Sequence, residues 1–347
     1  MRHLTRRDFG RATLASLAAA PVRLPGFRPY DWSNDRPGYL PVLADRKYAY
    51  LHLDVFTEHP FEGNQLLVFP QPAGLSADAM LTLTRESNYS ECTFVFPPDQ
   101  AGVDHRVRIF TRNAETPFAG HPTIGTAFAL ASTGAIRAGT ARTVFGLGVG
   151  PTPIDLEWEG PRLKFAWMTQ LKPTFGKPVS DMGALAAAIG VDPAALAGQR
   201  APAQEVSTGS TFLIIPVSTR KAVDSAVLDR ARVDAVLTAA GVPRRGLYIF
   251  STEKGSDDAD VYSRLLGTGG IEDPATGSAA GPAACFIVRY GFVPASRARQ
   301  MVFLQGVLVH RPSRLYASVT VAPDTQIANI RVGGAAVVVG EGSVAVP

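Results

Sequence analysis

The 347-residue chain has only two cysteines, Cys92 and Cys285, and neither belongs to a C-x-x-C pair. Two cysteines cannot build a disulfide framework, so two buried free thiols are expected; pairing in an oxidising compartment is the alternative. Beyond the N-terminus there is no apolar run of the roughly 20 residues that a membrane helix needs. No Lys/Arg block marks a nucleic-acid footprint, and no glycine-rich nucleotide fingerprint or cluster of metal-ligand residues occurs. Neither a cofactor nor a metal is therefore expected. Charged residues make up 18% and hydrophobic residues 46%, which suits a chain that buries a substantial core. The length favours two domains of ordinary size.

The N-terminus supplies much of the basic character. "LTRRDFGRATLASLAAAP" places Arg6-Arg7-Asp8-Phe9 before a mild apolar run that ends in Ala18-Ala19-Ala20. A paired-arginine head, a weakly hydrophobic middle and small residues before a break read as a twin-arginine export signal over residues 1–20. Cleavage after Ala20 would remove four arginines and one aspartate, taking the formal +4 to +1. A mature periplasmic protein near neutrality, off the membrane after cleavage, is expected. Residues 21–46 are proline-rich and polar, and read as an irregular lead-in.

From Tyr48 onward the chain repeats itself. "GNQLLVFP" (Gly63 to Pro70) matches "GSTFLIIP" (Gly209 to Pro216), 146 positions later. "TFVF" matches "LYIF", and "VRIFTR" matches "ADVYSR" in a way that sets Arg112 against Arg264. "HPTIGTA" from His121 matches "DPATGSA" from Asp273, 152 positions later. Elements matched in one order at similar offsets imply a tandem pseudo-repeat, with halves at 47–160 and 161–347. The last strands are allowed to pack back on the first half. Two copies facing each other across a pseudo-twofold axis would leave a cleft between them, a common place for a small-ligand site.

Each heptapeptide leads from a strand into a small-residue helix. Free N–H groups at a helix start attract anions, so two such starts in one cleft would hold a small carboxylate from both sides. His121 and Asp273, read as equivalents, would project into that space. Glu91 opens an apolar strand beside Ser90; a carboxyl there is a candidate for a raised pKa and for proton transfer. The stretch matching it in the second half holds Arg244-Arg245, so the base is present once.

These residues carry a resemblance. "LDVFTEHPFEGNQLLVF", "NYSECTFVF", "RIFTRNAETPFAGHPTIGTA" and "EDPATGSAAG" resemble the blocks of the PhzF phenazine-biosynthesis family, over most of residues 48–347. The resemblance implies an α+β fold like diaminopimelate epimerase: two pseudo-symmetric domains, each a curved sheet around a central helix. It also implies cofactor-independent proton transfer and a homodimer. Glu91 falls on the acid/base position, with His121 and Asp273 beside it. Ser90, Gly120, Gly277 and Ser278 fall on substrate-contacting positions. The two-thiol epimerase branch is disfavoured, because Cys92 and Cys285 lie elsewhere in the pattern. The function expected is an isomerase that moves a proton and a double bond on a small carboxylate. An epimerase or dehydratase of an amino or hydroxy acid, or a non-catalytic periplasmic binding protein, are the alternatives.

Overall fold

Two helices of the computed structural model are buried nearly all round, and the rest of the chain is arranged to bury them. The structure describes residues 46–346 apart from 197–199, 244–245, 267–271 and 325, so the export signal and nearly all of the lead-in lie outside the described residues. The first part runs β1 (Lys47–Val55), β2 (Asn64–Phe69), α1 (Ala77–Ser87), β3 (Glu91–Phe96), β4 (His105–Thr111), β5 (Glu115–Thr116), α2 (His121–Ser132), β6 (Arg142–Leu147), β7 (Gly150–Glu159) and β8 (Arg162–Thr169). The second runs β9 (Thr174–Pro178), α3 (Met182–Ala188), α4 (Pro193–Leu196), β10 (Gln204–Ser207), β11 (Thr211–Pro216), α5 (Arg220–Ser225), α6 (Arg230–Ala240), β12 (Gly246–Ser251), β13 (Val261–Leu266), α7 (Gly277–Arg289), β14 (Met301–Gln305), β15 (Ser313–Val321) and β16 (Ile327–Gly334). The closing strand, β17 (Ala336–Ala345), returns to the first part and pairs with β1.

Helices α2 and α7 owe their burial to composition. "HPTIGTAFALAS" and "GSAAGPAACFIVR" carry no polar stripe, and a helix apolar on every side is stable only when it is surrounded. Their Ala, Gly and Thr residues let strands approach closely. Helix α2 packs on β1, β2, β3, β8 and β17; α7 packs on β10, β11, β15 and β16. Outside each curved sheet lies a smaller core, built on α1 in the first half and on α3 to α6 in the second. Cys92 belongs to the outer core of the first half and Cys285 to α7, and both are buried free thiols.

Strand pairing makes the duplication explicit. Parallel β2–β3, antiparallel β3–β4 and parallel β4–β6 are repeated as β11–β12, β12–β13 and β13–β14. The halves join where β8 runs antiparallel to β16, with Met168 opposite Val332. These two residues are repeat equivalents, so the pseudo-dyad passes through their pair. By strand pairing, the crossover between halves follows Thr169.

The registers correct the alignment read from sequence. Leu67 lies beside Cys92 and Leu213 beside Leu247, which makes Cys92 equivalent to Leu247. That is one residue away from the TFVF–LYIF match, and a one-residue slip would exchange inner and outer faces. Phe94 faces Arg108 and Ile249 faces Arg264, so Arg264 answers Arg108 rather than Arg112. Both arginines pair with a glutamate just ahead of the central helix, Glu115 and Glu272. Continuing in that register brings Gly120 onto Gly277. The two look-alike heptapeptides are thus out of step by five residues, and His121 is equivalent to Ser278, not to Asp273. The match misled because Pro-x-x-Gly is common at helix starts, whereas alternation of strand faces is not transferable.

Candidate active site

The two central helices meet end to end at glycines. A methyl group on Gly120 would lie 2.3 Å from the Ser278 amide nitrogen and 2.4 Å from the Gly277 carbonyl carbon. One on Gly277 would lie 2.8 Å from the Phe56 ring. Any side chain at these positions would push the helix starts apart. Neither start has a side-chain cap: Gly120 has no side chain to offer α2, and Thr276, at the start of α7, donates its hydroxyl to Asp273 Oδ2 at 2.7 Å instead. The first N–H groups of both helices therefore stay available for an anion.

Around this junction the chain gathers Glu91, His121 and Asp273. Glu91 comes from the first residue of β3, His121 from the first residue of α2, and Asp273 from the segment leading into α7. Asn64, the first residue of β2, joins them and was not singled out from sequence. Its amide donates to Asp273 Oδ1 at 2.5 Å and to the Ala275 carbonyl at 2.9 Å. Those two bonds use both amide hydrogens. The ring Nδ1 of His121, 3.1 Å from the same nitrogen, therefore carries its own proton, bonded to the Gln65 main-chain carbonyl.

The other ring nitrogen then decides the character of the site. His121 is 3% exposed, and burial drives its pKa down to about 3, so the ring is neutral at physiological pH. Its Nε2 is an unprotonated, buried atom with no hydrogen-bond partner, 3.7 Å from Glu91 Oε2. With a neutral ring that approach is not an ion pair, and it is too long for a hydrogen bond. Burial raises the Glu91 pKa well above the usual carboxylate range, and the charge of Asp273 raises it further; Ser90 opposes the rise. Burial also raises Asp273, against the hydrogen bonds from Thr276 and Asn64. Ser90 Oγ, like His121 Nε2, is buried with no partner of good geometry. Two unsatisfied polar atoms thus stand beside a carboxyl of raised proton affinity, the kind of cluster that marks a candidate functional site.

A second layer holds Asp273 in place and was invisible in the sequence. Gln305, fully buried at the end of β14, donates to the Asp273 carbonyl at 2.9 Å and to Thr276 Oγ1 at 3.0 Å. Gln170 donates to the Gly277 carbonyl at 3.1 Å and accepts from Thr208 at 2.5 Å. The only signal for Asn64 was a polar residue after a repeated glycine, Gly63 and Gly209, at a strand start in both halves. A cavity of about 480 Å³ lined by Phe56, Glu62, Phe165, Leu304, Arg314 and Tyr316 includes none of Glu91, His121 or Asp273.

A family model described as "Phenazine biosynthesis-like protein" matches residues 53–342. The chain belongs to that family. It is 34% identical over 274 residues to the trans-2,3-dihydro-3-hydroxyanthranilate isomerase of Pseudomonas aeruginosa, covering 78% of this chain and 90% of the relative. An uncharacterized isomerase of Mesorhizobium japonicum is 33% identical over 301 residues, covering 84% and 97%. Among solved structures, a PhzF-family protein of Bacillus anthracis superposes with a TM-score of 0.76 at 25% identity, covering 87% of this chain and all of that one. A hydroxyproline epimerase of Agrobacterium vitis shares the fold alone, with a TM-score of 0.59 at 11% identity over 86% of this chain and 91% of its own. The chain is thus an isomerase of the PhzF type on the fold shared with proline racemases and diaminopimelate epimerase.

Proposed function

We propose that the protein is a cofactor-independent isomerase that moves a proton, and with it a double bond, on a small unsaturated carboxylate, with Glu91 as the general acid/base. One observation carries the reading: the buried Glu91 carboxyl, raised in proton affinity, faces an unpartnered imidazole nitrogen, and no side chain stands at its dyad equivalent, Gly246. A symmetric epimerisation needs a proton donor on each face of the carbon, whereas the dyad-related partner of Glu91 is the strand opening at Gly246. The substrate carboxylate sits at the uncapped starts of α2 and α7, near Gly120, Gly277 and Ser278. Their N–H groups accept the charge that spreads onto the carboxylate as an enolate-like species forms.

Glu91 acts from its ionised fraction, which grows as pH approaches its raised pKa: it removes a proton from an activated carbon and returns it to another carbon of the same conjugated system. Atoms balance within the substrate, and the residue ends as it began. His121, neutral with a free Nε2 lone pair, accepts a hydrogen bond from a substrate hydroxyl or amine, rather than donating to the developing anion. Asp273, held by Asn64, Thr276 and Gln305, orients the substrate from the second half. Ser90, beside Glu91 in sequence, orients its protonated carboxyl between the two transfers.

Residue 1–20 export, a periplasmic location and a homodimer belong to the same proposal, and rest on the sequence reading and the family. The test is turnover of a panel of small unsaturated carboxylates, trans-2,3-dihydro-3-hydroxyanthranilate among them, by wild type and Glu91→Gln. General acid–base catalysis is worth roughly 10²–10⁴-fold, so a loss of that size is expected. Turnover unchanged in Glu91→Gln would overturn the assignment.

A further inference from the structure

The two halves are not equal in their connections. Eight residues separate β1 from β2, between the paired Val55 and Asn64; three separate β10 from β11, between Ser207 and Thr211. Seven separate β14 from β15, between Gln305 and Ser313; two separate β6 from β7, between Leu147 and Gly150. Each half has thus lengthened one connection that its counterpart keeps short, and the two long connections meet each other.

Arg311 makes that meeting. From the β14–β15 connection its Nε donates to the Gly63 carbonyl at 2.7 Å, and its Nη2 to the Glu62 carbonyl at 2.6 Å and to Asp54 Oδ1 at 2.5 Å. Asp54, 1% exposed, spends its other oxygen on the Phe61 amide at 2.6 Å. The Gly63 amide returns a bond to the Pro312 carbonyl at 3.1 Å. The segment so gripped holds three residues at positive φ, Phe56, Phe61 and Gly63, and two of these are aromatic. Such conformations persist only when the surroundings impose them.

What the grip serves follows from its two ends. The β14–β15 connection starts after Gln305, which holds the Asp273 backbone, and passes so close to Pro274 that a methyl on Gly306 would lie 2.6 Å from the Pro274 carbonyl. It finishes at Arg311, which holds the peptide immediately before Asn64. One connection therefore fixes both members of the Asn64–Asp273 hydrogen bond, from opposite halves of the molecule. We infer that Arg311 is a positioning residue for the reaction: by clamping the Glu62 and Gly63 carbonyls it sets the Asn64 amide that donates to Asp273. A plain ion pair with Asp54 would need only the carboxylate contact, and two of the three bonds from this guanidinium go to main chain instead. The consequence for turnover rests on the acid–base reading of the site; the consequence for Asp273 does not.

The test uses the full chain with aspartate labelled at its side-chain carboxyl carbon, titrated by NMR and assigned with Asp273→Asn. Arg311→Lys keeps the charge facing Asp54 but cannot reach the two carbonyls and the carboxylate together. Arg297→Lys is the control, since Arg297 also pairs with a buried aspartate, Asp260, away from the site. Loss of the oriented Asn64 donor is expected to move the Asp273 titration upward by about one pH unit, a tenfold change in proton affinity. On any carboxylate that the wild type turns over, kcat should fall with little change in KM. Arg297→Lys should leave the titration in place at a comparable loss of Tm. Should Arg311→Lys fail to fold, the double variant Asp54→Asn/Arg311→Gln, which removes both charges at once, is read the same way. An Asp273 titration that stays where it is in the Arg311 variant, as in the Arg297 control, would overturn the inference, whatever the outcome of the turnover assays.

Discussion

Glu91 sits where an ionised carboxyl is expensive, and that cost is visible in both stability and rate. Its folded-state pKa is raised, by burial first and by Asp273 second. Below the pKa of the unfolded chain both states are protonated and the group is neutral in its effect. Above it the unfolded chain ionises while burial keeps Glu91 protonated in the native state, so stability falls as pH rises until the folded-state pKa is passed, where the native protein bears the buried charge. Glu91→Gln removes that penalty. Its Tm is therefore expected to match wild type near pH 4 and to exceed it by about 2 °C or more at pH 9, while turnover collapses; parallel calorimetry at the two pH values checks it. Asn64→Ala works in the opposite sense. It strips a donor from Asp273 and leaves the Ala275 carbonyl unpartnered, at a cost of about 1–3 kcal/mol in denaturant titration.

At the scale of elements, the deciding feature is the contact between two helix starts. Gly120→Ala puts a methyl 2.3 Å from the Ser278 nitrogen, against backbone that cannot swing aside. A loss of about 1–3 kcal/mol is expected, with turnover falling further as the anion cradle opens. Gly183→Ala, where the methyl meets only Asp181 Oδ1 at 3.5 Å, is expected to be neutral or to gain up to about 1 kcal/mol. Much of this level was legible in the sequence. The small-residue helices, the strand opening at Glu91 and the duplication all follow from local pattern. Asp273 and His121 do converge on one site, on either side of Asn64, but not as symmetry equivalents. The true equivalence of Gly120 and Gly277 could not be read, because it is fixed by which face of each strand looks inward. Gln305, Gln170 and Arg311 were hidden for the same reason: their partners are long-range main-chain atoms, which leave no motif.

For the whole molecule, duplication explains the scaffold and departures from duplication explain the chemistry. The halves share ladder order and an Arg–Glu pair ahead of each central helix. The base, the imidazole and the Asn64 amide occur on one side only, and each half lengthens a different connection. An enzyme so built treats the two ends of a substrate differently, which suits directional proton relocation. The N-terminal segment adds a prediction at this scale. Arg6→Lys/Arg7→Lys should retain the chain in the cytoplasm when cell fractions are probed, and export that persists would set the twin-arginine reading aside.

The central claim is that Glu91 carries a proton from one carbon to another. The most direct test is turnover in D2O followed by NMR, with wild type and Glu91→Gln, on the carboxylates that the wild type converts. The account predicts deuterium at a carbon different from the one that lost its proton, with the double bond displaced, and no label in the Glu91→Gln reaction. Label returned only to the carbon that lost its proton, without bond migration, or label undiminished in Glu91→Gln, would contradict it.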